Sequence, residues 1–134
     1  MIHQKDLRLG DLVQITVDLL EYKQGDTFVV IDISEVYIGL HSPSKSDCRP
    51  YMYTIRDNIE GIPLTPDILE KNGWNKGQVY FTHSRIPRIK LCTDEDETKW
   101  SVSINGDIMG DYIFCVHQLQ HILFAFRIEE EMEV

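Results

Sequence analysis

His117 and His121 stand four residues apart in Val116-His117-Gln118-Leu119-Gln120-His121, a spacing that projects two imidazoles from one face of a helix, as paired metal ligands are placed. A working site needs a third and a fourth ligand, and no HExxH pattern accompanies the pair. The expectation is therefore an ordinary surface or sheet-facing pair, with no metal and no cofactor. Gln118 and Gln120 flank the same face, either to bond backbone carbonyls of an adjacent sheet or to meet a partner. His83-Ser84, with Arg85 and Arg88 around Pro87, offers nucleophile and anion-site residue types. No GxSxG elbow or ordered triad surrounds them, and the chain has no phosphate-cradling glycine loop or dinucleotide fingerprint. No catalytic residue is assigned.

Acidic residues are the other conspicuous chemistry. Asp94-Glu95-Asp96-Glu97 and Glu129-Glu130-Glu131 with Glu133 hold eight of the 22 acids, and the net charge is −9. Residues 94–97 lack the glycine and closing glutamate of a calcium loop. They read as a solvated hairpin tip, or as a phosphate mimic toward a basic partner. A chain this acidic is repelled by phosphate backbones, so direct nucleic-acid binding is not expected. The three cysteines, Cys48, Cys92 and Cys115, show no CxxC or Cys/His cluster, which points to a reducing, cytoplasmic setting. The N-terminus has no apolar signal core, and no apolar run approaches the roughly 20 residues that span a bilayer.

The elements that must position these residues are legible in part. At 134 residues, 43% hydrophobic, the chain has room for one domain or two very small ones sharing a core. Leu12–Val17, Thr27–Ile33, Val36–Leu40 and Tyr51–Ile55 read as short strands joined by turns, a small curled antiparallel sheet of SH3-like barrel type. A short helix follows with both ends specified. Thr65 is its N-cap, Pro66 its first residue, Leu64 and Leu69 a staple, and Gly73 its left-handed stop. Trp74 is expected to fold back onto Leu69. Gln78–Thr82, Arg88–Cys92 and Lys99–Ile104 are further strands, the last with Trp100, Val102 and Ile104 on one face. Asn105-Gly106 predicts a two-residue hairpin turn, with a return strand through Ile108 and Tyr112–Cys115 bulged at Gly110. Val116, Leu119, Ile122, Leu123 and Phe126 form one stripe of a helix over 117–126, and Ile128, Met132 and Val134 alternate with glutamates as a short edge strand. The fold class is α+β, organised as a β-rich segment over 1–64 and a mixed segment over 65–134.

Leu7-Arg8-Leu9-Gly10-Asp11, Ile62-Pro63-Leu64-Thr65-Pro66-Asp67-Ile68-Leu69-Glu70-Lys71-Asn72-Gly73-Trp74 and Val116-His117-Gln118-Leu119-Gln120-His121 together resemble a family of small uncharacterised proteins of gut Bacteroidetes and their phages or mobile elements. The chain departs from that pattern in a longer loop near Pro43 and in Arg127, where such proteins often place a small residue or glycine. The resemblance implies a compact intracellular protein of phage or mobile-element origin and carries no activity.

The aromatic set Tyr22, Tyr37, Tyr51, Tyr53, Trp74, Tyr80 and Trp100 is mostly core material, and an exposed subset of Tyr51, Tyr53 and Trp74 would mark a protein-binding patch. With a good fold grammar and no assembled site, the expectation is a non-catalytic module for protein–protein contact or homo-oligomer building. The alternative is an acidic inhibitor or nucleic-acid mimic acting on a host enzyme. A second alternative is a small hydrolase or metal enzyme using His117 and His121.

Overall fold

The structure, a computed structural model, describes residues 6–43 and 52–134, so Cys48 and Tyr51 lie outside the described residues. The chain divides into two compact units, Met1–Ile62 and Pro63–Val134. Each holds a five-stranded antiparallel sheet, and among the described residues the two α-helices belong to the second. The class is α+β.

In the first unit β1 (Leu12–Ile15), β2 (Thr27–Ile33), β3 (Tyr37–His41), β4 (Met52–Ile55) and β5 (Ile59–Gly61) pair in the order β4-β3-β2-β1-β5. Alternation decides the faces: Phe28, Val30, Ile38 and Leu40 are buried, and with Val13, Ile15, Tyr22 and Ile59 they form the core. Tyr22 meets Phe28 edge-on at 4.9 Å. The register slips between Val30 and Asp32, which bulges Ile31 outward and bends the sheet. A single 3-10 turn, Arg56–Asn58, carries the chain from β4 back across to β5, beside β1. The ladder stays open, with β4 and β5 as its two edges.

The second unit opens with α1 (Pro66–Lys71), built as its ends dictate. Thr65 Oγ1 accepts from Ile68 N at 3.2 Å, Pro66 occupies the first position, and Gly73 has φ +88°. Trp74 begins β6 (Trp74–Lys76), followed by β7 (Phe81–His83), β8 (Ile86–Thr93), β9 (Trp100–Ile104) and β10 (Asp107–Ile108) in a meander. Asn105 and Gly106, φ 53° and 89°, make the two-residue turn that pairs Ile104 with Asp107. The return strand is shorter than the sequence suggests. It stops at Ile108, and after Gly110 only Ile113 rejoins β9, exchanging both backbone bonds with Trp100 at 2.9 Å. Trp100 is fully buried; its Nε1 donates to Leu64 O at 2.9 Å, and Phe81 packs edge-on against it. Leu64, assigned by sequence to the first segment, is thus bonded within the second unit.

Helix α2 (Val116–Ala125) buries Val116, Leu119, Ile122 and Leu123. Its N-terminus lacks Ser, Thr or Asp, and Gln118 serves instead: Oε1 accepts from Phe114 N at 2.7 Å and Cys115 N at 3.0 Å. At its end Arg127 takes φ 56°, with Arg127 N bonded to Phe124 O and Ile128 N to Leu123 O. That is a complete Schellman stop with arginine where glycine is usual. The segment from Ile128 to Val134 is not the expected edge strand. Its one strand-like backbone pairing is made with a side chain, described below.

Candidate functional site

The residues marked by sequence do not gather at one place. Trp74 is a correction. It is 3% exposed and packs edge-on against the His83 ring at 5.4 Å, so it is core and not contact surface. Tyr53 is 54% exposed, on the face of β4 opposite the buried Thr54. It pairs with Gly39, and Tyr37 pairs with Ile55 in the same ladder. A Cβ added to Gly39 would stand 3.1 Å from Tyr53 Cε1, so the ring lies over the bare glycine. Tyr37, Tyr53 and Ile55, all exposed, therefore form one apolar stripe on the outer face of the β3–β4 edge hairpin. Tyr37 and Ile55 were readable as out-of-phase residues in strands whose other face is core. In the adjoining 3-10 turn, Arg56 Nε and Nη2 are shielded from solvent and have no hydrogen-bond partner.

His117 and His121 do meet, edge-on with ring centroids 5.6 Å apart. His117 is buried, although its position lies off the apolar stripe of α2, so of the two expected settings, surface or sheet-facing, it does not take the exposed one; His121 is half-buried. Among the described residues no third His, Cys, Asp or Glu joins them in a group able to hold a metal ion.

His83 has a different task. Its Nδ1 accepts from Arg85 N at 3.1 Å and its Nε2 lies 3.0 Å from Asn72 O, so the ring is assigned as the Nε2–H tautomer that donates to that carbonyl. Gly73 makes the approach possible, because a Cβ there would lie 2.8 Å from His83 Nε2. Both ring nitrogens are thus spent on backbone, and His83 ties the end of α1 to the turn between β7 and β8.

That tie positions Asn72 and Arg85, two of the three side chains that hold residues 130–134. Asn72 Nδ2 donates to Glu133 O and Asn72 Oδ1 accepts from Glu133 N, both at 2.7 Å. Lys71 Nζ donates to Val134 O at 2.8 Å. Arg85 forks onto Glu130 through Nε at 3.1 Å and Nη2 at 3.2 Å. Ile128, Glu130, Met132 and Val134 are half-buried, while Glu129, Glu131 and Glu133 are exposed.

At the β8–β9 tip, Asp94 Oδ1 accepts from Thr98 N at 3.0 Å and Lys99 N at 3.4 Å, and Oδ2 accepts from Thr98 Oγ1 at 3.4 Å. These bonds, the Thr98 amide first, hold the carboxyl below its ordinary pKa. A shallow open groove of about 350 Å³ lies beside it, lined by Cys92, Thr93, Asp94, Lys99, Ser101 and Tyr112. Lys99 Nζ sits 5.9 Å above the Tyr112 ring, and no acid–base pair assembles there.

Comparison with protein-family models, curated proteins and solved structures finds no match to this chain.

Proposed function

We propose that this chain is a non-catalytic interaction module that contacts a protein partner, or a second copy of itself, through the Tyr37–Tyr53–Ile55 stripe. The observation that carries the reading is the stripe itself, two tyrosines and an isoleucine exposed together on an edge hairpin. Aromatic side chains of this kind anchor interfaces, because they bury much area at little entropic cost. The first unit is read as SH3-like. Four strands in a meander with the fifth returning beside the first is a connectivity from which a small barrel curls. The cytoplasmic setting and the phage or mobile-element origin belong to the same proposal and rest on cysteine usage and the sequence resemblance.

The competing readings lose support residue by residue. His83 has no free ring nitrogen to act as a base, and His117 with His121 stays a pair among the described residues. Asp94 and Glu130, one in each acidic block, are engaged with loop amides and with Arg85 respectively, while Glu95, Asp96, Glu97, Glu129, Glu131 and Glu133 stay exposed, so the acidic-mimic reading is left to the binding test below.

The test is affinity capture from the native cytosol with the parent, Tyr37→Ser/Tyr53→Ser and the control Leu20→Ser, alongside sedimentation of each protein. A partner or dimer that is lost only in the tyrosine variant, and that tolerates salt, supports the module. Binding that survives it, weakens steeply with salt and fails when residues 94–97 and 129–133 are neutralised would move the assignment to an acidic mimic.

A further inference from the structure

We infer that Asn72, Lys71 and Arg85 form a binding site for an extended acidic segment of another protein, which the chain's own residues 130–134 occupy in cis. The site's residues belong to the second unit and those of the tyrosine stripe to the first, so either proposal can fail alone.

The geometry of Asn72 carries the argument. One Nδ2 hydrogen is committed to Ile68 O at 2.7 Å, which fixes the amide plane at the end of α1. The remaining N–H and the Oδ1 then offer a donor and an acceptor side by side, as a strand edge does, and Glu133 fills both. Capping α1 needs only the Ile68 bond; the second pair of groups reads an extended backbone whatever its side chains. His83 braces the clamp from behind, bonded to Asn72 O on one side and Arg85 N on the other. The recognition elements are therefore set by the body of the unit, not by the tail.

Selectivity comes from the flanks. Arg85 takes a carboxylate three residues before the clamped position through two parallel bonds, and Lys71 takes the carbonyl one residue after it. Met132 and Val134, on either side of Glu133, are half-buried. The fitting ligand reads acid, any, apolar, any, apolar, in extended form. Each bond to residues 130–134 has at least one exposed partner, Lys71, Arg85 or Glu133, which leaves the segment accessible to exchange with one from another chain.

The probe is a fluorescent peptide with the sequence of residues 127–134, titrated into the full chain. Glu133→Pro in the protein deletes the N–H that Asn72 accepts, at an exposed position away from the core. Removing cis competition in this way should tighten peptide binding by about tenfold or more. Adding Asn72→Ala should return binding to the parent level or below. Arg85→Gln should erase the preference for this peptide over one with Gln in place of the residue facing Arg85, a readout that mere loss of stability would not move. Two results would overturn the inference: no peptide binding by the Glu133→Pro protein, or equal binding of a scrambled peptide.

Discussion

The His83 ring lies against Gly73 so closely that a Cβ on the glycine would meet Nε2 at 2.8 Å. The same imidazole donates to Asn72 O, one residue earlier, so the left-handed stop of α1 and the docking of β7 are a single packing event.

Gly73 and Gly106 share a left-handed conformation, φ +88° and +89°, but only Gly73 has a neighbour where a Cβ would stand. Gly106→Ala should cost about 1 kcal/mol, the strain of an L-residue at positive φ. Gly73→Ala should cost roughly 2 kcal/mol or more, since the His83 ring must also move. Urea unfolding of both variants checks the order; equal losses would show that His83 yields freely.

Arg127 holds the left-handed position after α2 at φ 56°. Replacing it with glycine relieves that strain while keeping the bonds from Arg127 N and Ile128 N, which are backbone. Arg127→Gly should stabilise by about 0.5–1 kcal/mol. A lower melting temperature than the parent would contradict the Schellman geometry.

Thr65→Ala removes the side-chain acceptor of Ile68 N and should cost about 1 kcal/mol, with Thr65→Ser close to the parent. If both serine and alanine variants melt like the parent, the cap contributes nothing.

Trp100 fills the centre of the second unit, and its Nε1 satisfies Leu64 O. Trp100→Phe should cost about 2–4 kcal/mol, from the orphaned carbonyl together with the lost volume. Denaturation with matched m-values measures it.

Asp94 gives a pH dependence with a definite sign. Its carboxyl is depressed, chiefly by the Thr98 amide, so its folded pKa lies below its unfolded value. The stabilisation is complete above the unfolded value, about 4, and is lost as pH falls through the folded one. The stability gap between the parent and Asp94→Asn should be constant near neutrality and close in acid. A carbon-detected titration placing the Asp94 carboxyl at or above the ordinary aspartate range would refute it.

The chain's local grammar was determined by sequence alone. Thr65, Pro66 and Gly73 set the ends of α1, Asn105-Gly106 the tight turn, and the stripe from Val116 to Leu123 the helix α2, because each depends on residues a few positions apart. The α+β class follows from those periods. Tertiary structure decided what each face meets. Nothing near Trp74 announces that it packs on His83 inside the second unit, and the off-stripe position of His117 left open whether it faces a sheet or solvent. The terminal glutamates alternate with Ile128, Met132 and Val134 as an edge strand would, yet Asn72 pairs with Glu133 across 61 residues of sequence. An asparagine placed at a helix end looks like a cap, and its second pair of hydrogen bonds exists only because the folded chain brings an extended backbone to it.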